Sequence, residues 1–181
     1  MKARNITIVL IGILFCMVTD ANAQARFYDT NRTFHEQGFT YVMHGYGGMV
    51  HLSNQNSRWR GFAQVNRDGT PRQFGEGPAN DENNRTQMRQ LAQTILDNAF
   101  SPAERQRLRG SSLRVSMWAD SQTGVITDVE FSFVRTGGFA TIPVTTYRRI
   151  ELELKNRIRL APTAVGRRRN FIMLNFEYEV R

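Results

Sequence analysis

The chain has 181 residues, 40% hydrophobic, 10% aromatic and 22% charged, with a formal net charge of +8. That length fits one compact domain, and the apolar content excludes a wholly disordered chain. A single long apolar run, at the N-terminus, excludes a polytopic membrane protein, and no repeat with a period of roughly 20 to 50 residues points to a solenoid or propeller.

Lys2 and Arg4 open a short positive segment, residues 6–18 are apolar, and Ala21-Asn22-Ala23 places small residues where a signal peptidase cuts. Residues 1–23 therefore read as a secretory signal with Gln24 as the mature N-terminus, and the expected location is the periplasm or the extracellular space. The apolar stretch has 13 residues, short of the ~20 that span a bilayer, so no transmembrane segment is expected after cleavage. Phe15, directly before Cys16, is too bulky for a lipoprotein site, and cleavage removes the only cysteine. The mature chain then has no disulfide, thiol nucleophile or thiolate metal site. It keeps 22 basic and 15 acidic residues, a net +7, and Lys155 is its one lysine. Arginine suits multi-donor contacts with carboxylates and phosphates. An anionic partner is one reading of that charge, and dispersed surface charge is the other.

In chain order, residues 25–37 read as an irregular lead-in. Phe39–Met43, Met49–Leu52 and Trp59–Val65 read as three strands, joined by a turn at Gly45–Gly48 and another over Ser53–Ser57. Arg67-Asp68-Gly69-Thr70 is a hairpin-type turn signal. Residues 24–80 are thus expected to form an antiparallel β-meander. Gly75–Asn84 is a polar loop, and Asp81-Glu82 favours the helix N-terminus that follows. Met88, Leu91, Ala92, Ile95, Leu96 and Ala99 then trace one helical stripe. Ser101, Pro102 and Glu104 make a capping box for a second, short helix ending at Gly110. Residues 81–110 form this helical pair.

Residues 111–181 alternate most clearly. Leu113, Val115 and Met117 lead through the turn Asp120–Gly124 into Val125, Thr127, Val129, Phe131 and Phe133. Folding this hairpin about residue 122 puts Trp118 opposite Ile126, Ser116 opposite Asp128 and Arg114 opposite Glu130. Tyr147, Ile150, Leu154 and Ile158 trace another helix, with Glu151–Lys155 and Glu153–Arg157 as i,i+4 pairs on its solvent side. The last strand carries Ile172, Leu174, Phe176, Tyr178 and Val180 on one face and Asn175, Glu177 and Glu179 on the other. The expected fold class is α+β: an N-terminal antiparallel meander, a central helical pair and a C-terminal β-β-α-β unit, in one domain over residues 24–181.

The run Asp120-Ser121-Gln122-Thr123-Gly124-Val125-Ile126-Thr127-Asp128-Val129, followed by a helix, an x-Pro step and a closing strand, resembles the C-terminal domain of TonB-type proteins. That resemblance covers residues 113–180 and implies a helix packed on a three-stranded antiparallel sheet. Without a retained N-terminal anchor or a Pro-rich spacer, it implies no energy-transducing role. Over its full length the chain is also similar to a family of small exported proteins of unknown function from gut Bacteroidales. This rests on Phe27-Tyr28-Asp29, Asp97-Asn98-Ala99-Phe100-Ser101, Phe131-Ser132-Phe133, residues 139–144 (FATIPV) and residues 147–155 (YRRIELELK). It implies a bacterial exported protein and brings no activity and no catalytic residues.

Candidate chemistry is sparse. His44 and His51 flank the Gly-rich turn, but no third ligand stands at metal spacing, so exposed strand positions are the expected role. Asp128 and Glu130 share a strand face at a spacing open to two-carboxylate chemistry, although their cross-strand partners favour a solvated face. No nucleophile elbow, P-loop, HExxH or dinucleotide fingerprint occurs. Arg167-Arg168-Arg169, with Arg148 and Arg149, is the candidate ligand-binding set, suited to an anionic glycan or lipopolysaccharide phosphates. The pattern for stacking nucleic-acid bases is missing. The expected role is an exported, non-enzymatic interaction protein of the bacterial envelope, without metal or cofactor, whose closing strand offers an edge to another chain. Its partner would be an envelope protein or an anionic glycan, its oligomeric state is left open, and the alternatives are an Arg-based anionic-ligand binder and, behind it, a hydrolase without a recognisable motif.

Overall fold

Six segments build one antiparallel sheet: β1 (Thr33–Glu36), β2 (Phe39–Tyr46), β3 (Met49–Asn54), β4 (Ser112–Ala119), β5 (Ile126–Val134) and β6 (Ile172–Glu179). The computed structural model describes residues 26–30 and 32–180, so the expected signal over 1–23 lies outside the described residues. The strand order is β1-β2-β3-β5-β4-β6. Among the described residues, four α-helices follow the same chain order: α1 (Glu82–Ala99), α2 (Pro102–Leu108), α3 (Val144–Arg157) and the single turn α4 (Ala164–Arg167). The architecture is α+β as expected, with N-terminal strands, a helical pair, and then a β-β-α-β segment whose last strand lies beside β4.

Strand alternation turns Tyr41 and Met43, Val50 and Leu52, Val115 and Met117, Phe131 and Phe133, and Leu174 and Tyr178 toward one face, where all are buried. The helical stripes close over them: Ala92, Ile95 and Leu96 from α1, and Tyr147, Ile150 and Leu154 from α3. Aromatic rings knit this layer. Tyr147 stacks on Phe133 at 5.4 Å between centroids. Tyr28 reaches in from the lead-in, edge-on to Phe133 at 5.3 Å, with its hydroxyl donating to the Ile142 carbonyl at 2.9 Å. Such ring pairs add about 0.5–1.5 kcal/mol beyond the area they bury. The capping box forms as expected: Glu104 N–H donates to Ser101 Oγ, and Ser101 N–H donates to Glu104 Oε2 at 2.8 Å.

Four expectations need correction. The lead-in contains β1, which pairs with β2 and makes that side of the sheet one strand wider. Trp59–Val65 is no strand: Gly61 takes φ +78° and breaks the extended run, and the segment leaves the sheet's hydrogen-bonding plane. The 66–70 turn does form, with Asn66 N–H donating to the Thr70 carbonyl at 2.9 Å, but it joins no two sheet strands. In the β4–β5 hairpin, Arg114 faces Ser132, Ser116 faces Glu130 and Trp118 faces Asp128. That register is two residues from the expected one. Gly124 in the left-handed region closes a wider loop, in which Asp120 N–H donates to the Val125 carbonyl, and a bulge follows at Trp118/Ala119. Finally, Glu151 points inward and is wholly buried, where a solvent-side ion pair was expected.

Residues 55–80 pack across part of the other face of the sheet instead of extending it. Arg58 N–H donates to Asp128 Oδ1 at 2.8 Å, and Trp59 packs on Phe171 at 4.9 Å. Gln64 donates to the Phe171 carbonyl at 2.9 Å, Asn170 donates to the Ala63 carbonyl at 3.0 Å, and Arg67 N–H donates to the Arg168 carbonyl at 2.8 Å. The cover buries Ser53, Trp118 and Asp128.

Candidate functional site

Four places carry polar or unpaired groups that a partner could use. The first is the free side of β6. Its core-facing residues anchor it, and the Tyr178 hydroxyl donates to Asp97 of α1 at 3.1 Å. Burial, and then the Asp97 charge, push that phenol's pKa above the ordinary tyrosine value. Phe176 and Tyr178 pack inward while Asn175, Glu177 and Glu179 are exposed, as the alternation predicts. Among the described residues, β6 pairs with β4 along one flank and ends the sheet on the other. Arg89 of α1 donates to the Asn175 carbonyl at 3.0 Å. That contact marks Asn175 as a residue whose main-chain groups point away from β4, and the period of two gives Met173 and Glu177 the same orientation.

The second is the uncovered part of the polar sheet face. His44 and His51 are cross-strand neighbours. His51 Nδ1 lies 3.0 Å from Ser132 Oγ and 3.3 Å from Glu130 Oε1. A serine–histidine–carboxylate relay needs the hydroxyl and the carboxylate on opposite ring nitrogens. Here both meet the same nitrogen, so the trio can fix the ring but cannot activate the serine. Asp128 accepts from Arg58 N–H and from the Thr127 hydroxyl, whereas Glu130 lies beside His51 and Ser132, so the two carboxylates have different partners.

The third is the start of α3. Glu151 accepts from Arg148 Nη1 at 2.9 Å, from Lys155 Nζ at 2.5 Å and from the Tyr41 hydroxyl. Burial raises the Glu151 pKa, but the hydrogen bonds from Lys155, Tyr41 and Arg148 outweigh it and hold the carboxyl below its ordinary value. Arg148 also lies over the Phe39 ring at 5.2 Å. Arg149 donates to the Ala99 carbonyl at 2.6 Å, satisfying the C-terminus of α1, and lines a groove of about 250 Å³ with Ile95, Asn98 and Arg157.

The fourth is a cleft of about 470 Å³ lined by Asn66, Arg67, Asp68, Gln73, Glu76 and Arg168. Arg169 is buried beneath it and ties its walls together, donating to Asn66 Oδ1 at 2.7 Å and to the Glu76 carboxylate. Arg167 and Arg168 are exposed. The five arginines singled out from the sequence therefore have different surroundings. Arg148 serves the buried Glu151 carboxylate, Arg169 the part-buried Glu76, Arg149 caps a helix, and Arg168 is the one of the five that lines this cleft. Sequence reasoning missed Arg67, Asp68 and Gln73 as neighbours of Arg168, because about a hundred positions separate the two walls. The turn signal at 67–70 was the one local hint.

Against this geometry, the comparisons with known proteins are consistent. The crystal structure of a DUF5043 family protein from Bacteroides uniformis ATCC 8492, at 1.85 Å resolution, has a TM-score of 0.78 and 26% sequence identity. The likeness covers 86% of this chain and 94% of that one. No curated protein matches the chain. A family described as "Domain of unknown function (DUF5043)" matches residues 24–176, from ahead of β1 to within β6, and the chain belongs to that family.

Proposed function

We propose that this protein is exported and works as a non-enzymatic interaction module of the bacterial envelope, taking an extended segment of another envelope protein along the free side of β6. The observation that carries the reading is the place of β6 at the end of the sheet, with main-chain groups of Met173 and Glu177 directed outward on either side of the Asn175 carbonyl that Arg89 holds. Strand addition uses such groups for affinity and the alternating side chains for selection. The exposed side chains here include Glu177 and Glu179, neither in an ion pair among the described residues. They favour a basic segment and disfavour pairing between two copies of this strand. Export is supported by the three-part N-terminal pattern that ends at Ala23.

The test is photo-crosslinking in the native cell. A photoreactive side chain in place of Glu177 should trap one discrete envelope protein on a mature chain that starts at Gln24. The same group in place of Arg157, on α3, should not. Glu177→Pro removes an outward N–H without breaking the β4 ladder and should abolish the adduct. Equal adducts from positions 177 and 157, or an adduct that survives the proline, would overturn the reading.

A further inference from the structure

We propose that the cleft between the Asn66–Thr70 turn, the Gln73–Glu76 segment and Arg168 binds an acidic saccharide, a sugar bearing carboxylate or phosphate groups. The inference is independent of the β6 edge and rests on what the cleft offers.

Its frame is tied down. Arg67 N–H donates to the Arg168 carbonyl at 2.8 Å, and the buried Arg169 guanidinium spans from Asn66 to Glu76. The two walls therefore hold their spacing without a ligand, which lowers the ordering cost of binding.

Its donors are cations. Arg67 and Arg168 are exposed and form no salt bridge among the described residues, though the Arg67 charge adds to the hydrogen bonds that hold the Asp120 carboxyl below its ordinary pKa. A guanidinium offers a planar fork that fits carboxylate and phosphate oxygens.

Its acceptors are equally prominent. Asp68 accepts from the Thr70 hydroxyl at 2.6 Å and from the Thr70 N–H at 2.9 Å. Those bonds hold its pKa below the ordinary carboxylate value, so it stays a permanent acceptor. Asn66, Gln73 and Glu76 complete the lining.

A bare anion would engage Arg67 and Arg168 but leave the Asp68 carboxylate without a donor from the ligand, and a neutral sugar would leave both arginines without an anion to face. A ligand with both hydroxyls and an acidic group satisfies both sets. Phe74, between Gln73 and Glu76 in the chain, stands fully in solvent, and an exposed ring of this kind gives the apolar face of a sugar a surface to cover. The volume fits one or two sugar rings.

The experiment is titration calorimetry of the mature chain with four probes: trigalacturonate, glucose 1-phosphate, maltotriose and inorganic phosphate. At least one acidic sugar should bind, about tenfold or more tighter than both maltotriose and inorganic phosphate. Trigalacturonate binding alone would identify a carboxylated glycan, and glucose 1-phosphate binding alone a phosphorylated one. Arg67→Ala/Arg168→Ala should weaken binding by at least about tenfold and Phe74→Ala by about threefold, with the melting temperature unchanged, because all three side chains are exposed. Glu177→Pro should leave sugar binding intact, which separates this site from the β6 reading. The proposal is overturned if neither acidic sugar binds up to about 10 mM, if maltotriose or phosphate matches them, or if the double variant binds as well as the parent.

Discussion

The two faces of the sheet are covered in opposite ways. On one, α1 and α3 lay continuous apolar stripes over Phe131, Phe133 and Tyr178, and stacked rings fill the gap between helix and strand. On the other, an irregular segment over residues 55–80 is attached mainly by hydrogen bonds between side chains and main chain, such as Gln64 to Phe171 and Asn170 to Ala63. The loop-covered side also holds buried polar atoms without a partner among the described residues, including Trp59 Nε1, Trp118 Nε1 and Ser57 Oγ. Groups of that kind weaken a packed layer unless water reaches them. The helical face therefore supplies most of the stability. The loop face supplies shape, and the Arg168 cleft is built on it.

Three substitutions sharpen that contrast. The largest effect is expected from Leu154→Asp, which puts an unpaired charge into the helical face and should cost more than about 4 kcal/mol. Circular dichroism should show no cooperative melt, and a retained melt would break the assignment of that face as the dry core. Next is Glu151→Gln at its rim. Arg148 and Lys155 are each about a quarter exposed and regain some hydration, so the loss should fall near or below the lower end of the 3–5 kcal/mol range for a broken buried pair. Because the folded Glu151 pKa is depressed, its contribution is fully present above the ordinary glutamate value and drains as pH falls through the lowered one. Thermal melts of the parent should therefore lose stability on acidification through that window faster than melts of the variant. The smallest global effect is expected from Arg169→Ala, about 1–3 kcal/mol, because the part-exposed Glu76 regains water once unpaired, and it should be local. Hydrogen exchange should lose protection at the Arg67 and Asn170 amides while Phe131 stays protected. Equal loss at Phe131 would show that the two faces unfold as one unit.

The same contrast explains what could be read from the sequence. The helical face announced itself through period: Met88 to Ala99, Tyr147 to Ile158 and Ile172 to Tyr178 each put their apolar residues where the core lies. Period fails where contacts are held by single polar atoms. Nothing near Trp59 signals that its ring meets Phe171, and nothing near Arg169 signals Glu76. Glu151 has the spacing of a surface ion pair, and only Tyr41, from a distant strand, reveals that it points inward. The β4–β5 register depended on how many residues Gly124 lets the turn hold, a count that alternation cannot supply. The candidate site shared this limit. Its free strand was legible as a terminal alternating segment, while the cleft joined two polar stretches that meet only in the folded chain.

Strand order has a further consequence for synthesis. Leu52 must wait for Phe131, and Leu113 for Tyr178, before either has the second of its two neighbours across the sheet. The first three strands therefore leave the ribosome with no finished layer to join, and β4 keeps one side bare until the final stretch is made. Topologies dominated by such distant pairings condense late. A nascent molecule extended through α4, with β6 still unmade, would be the stickiest species this polypeptide passes through.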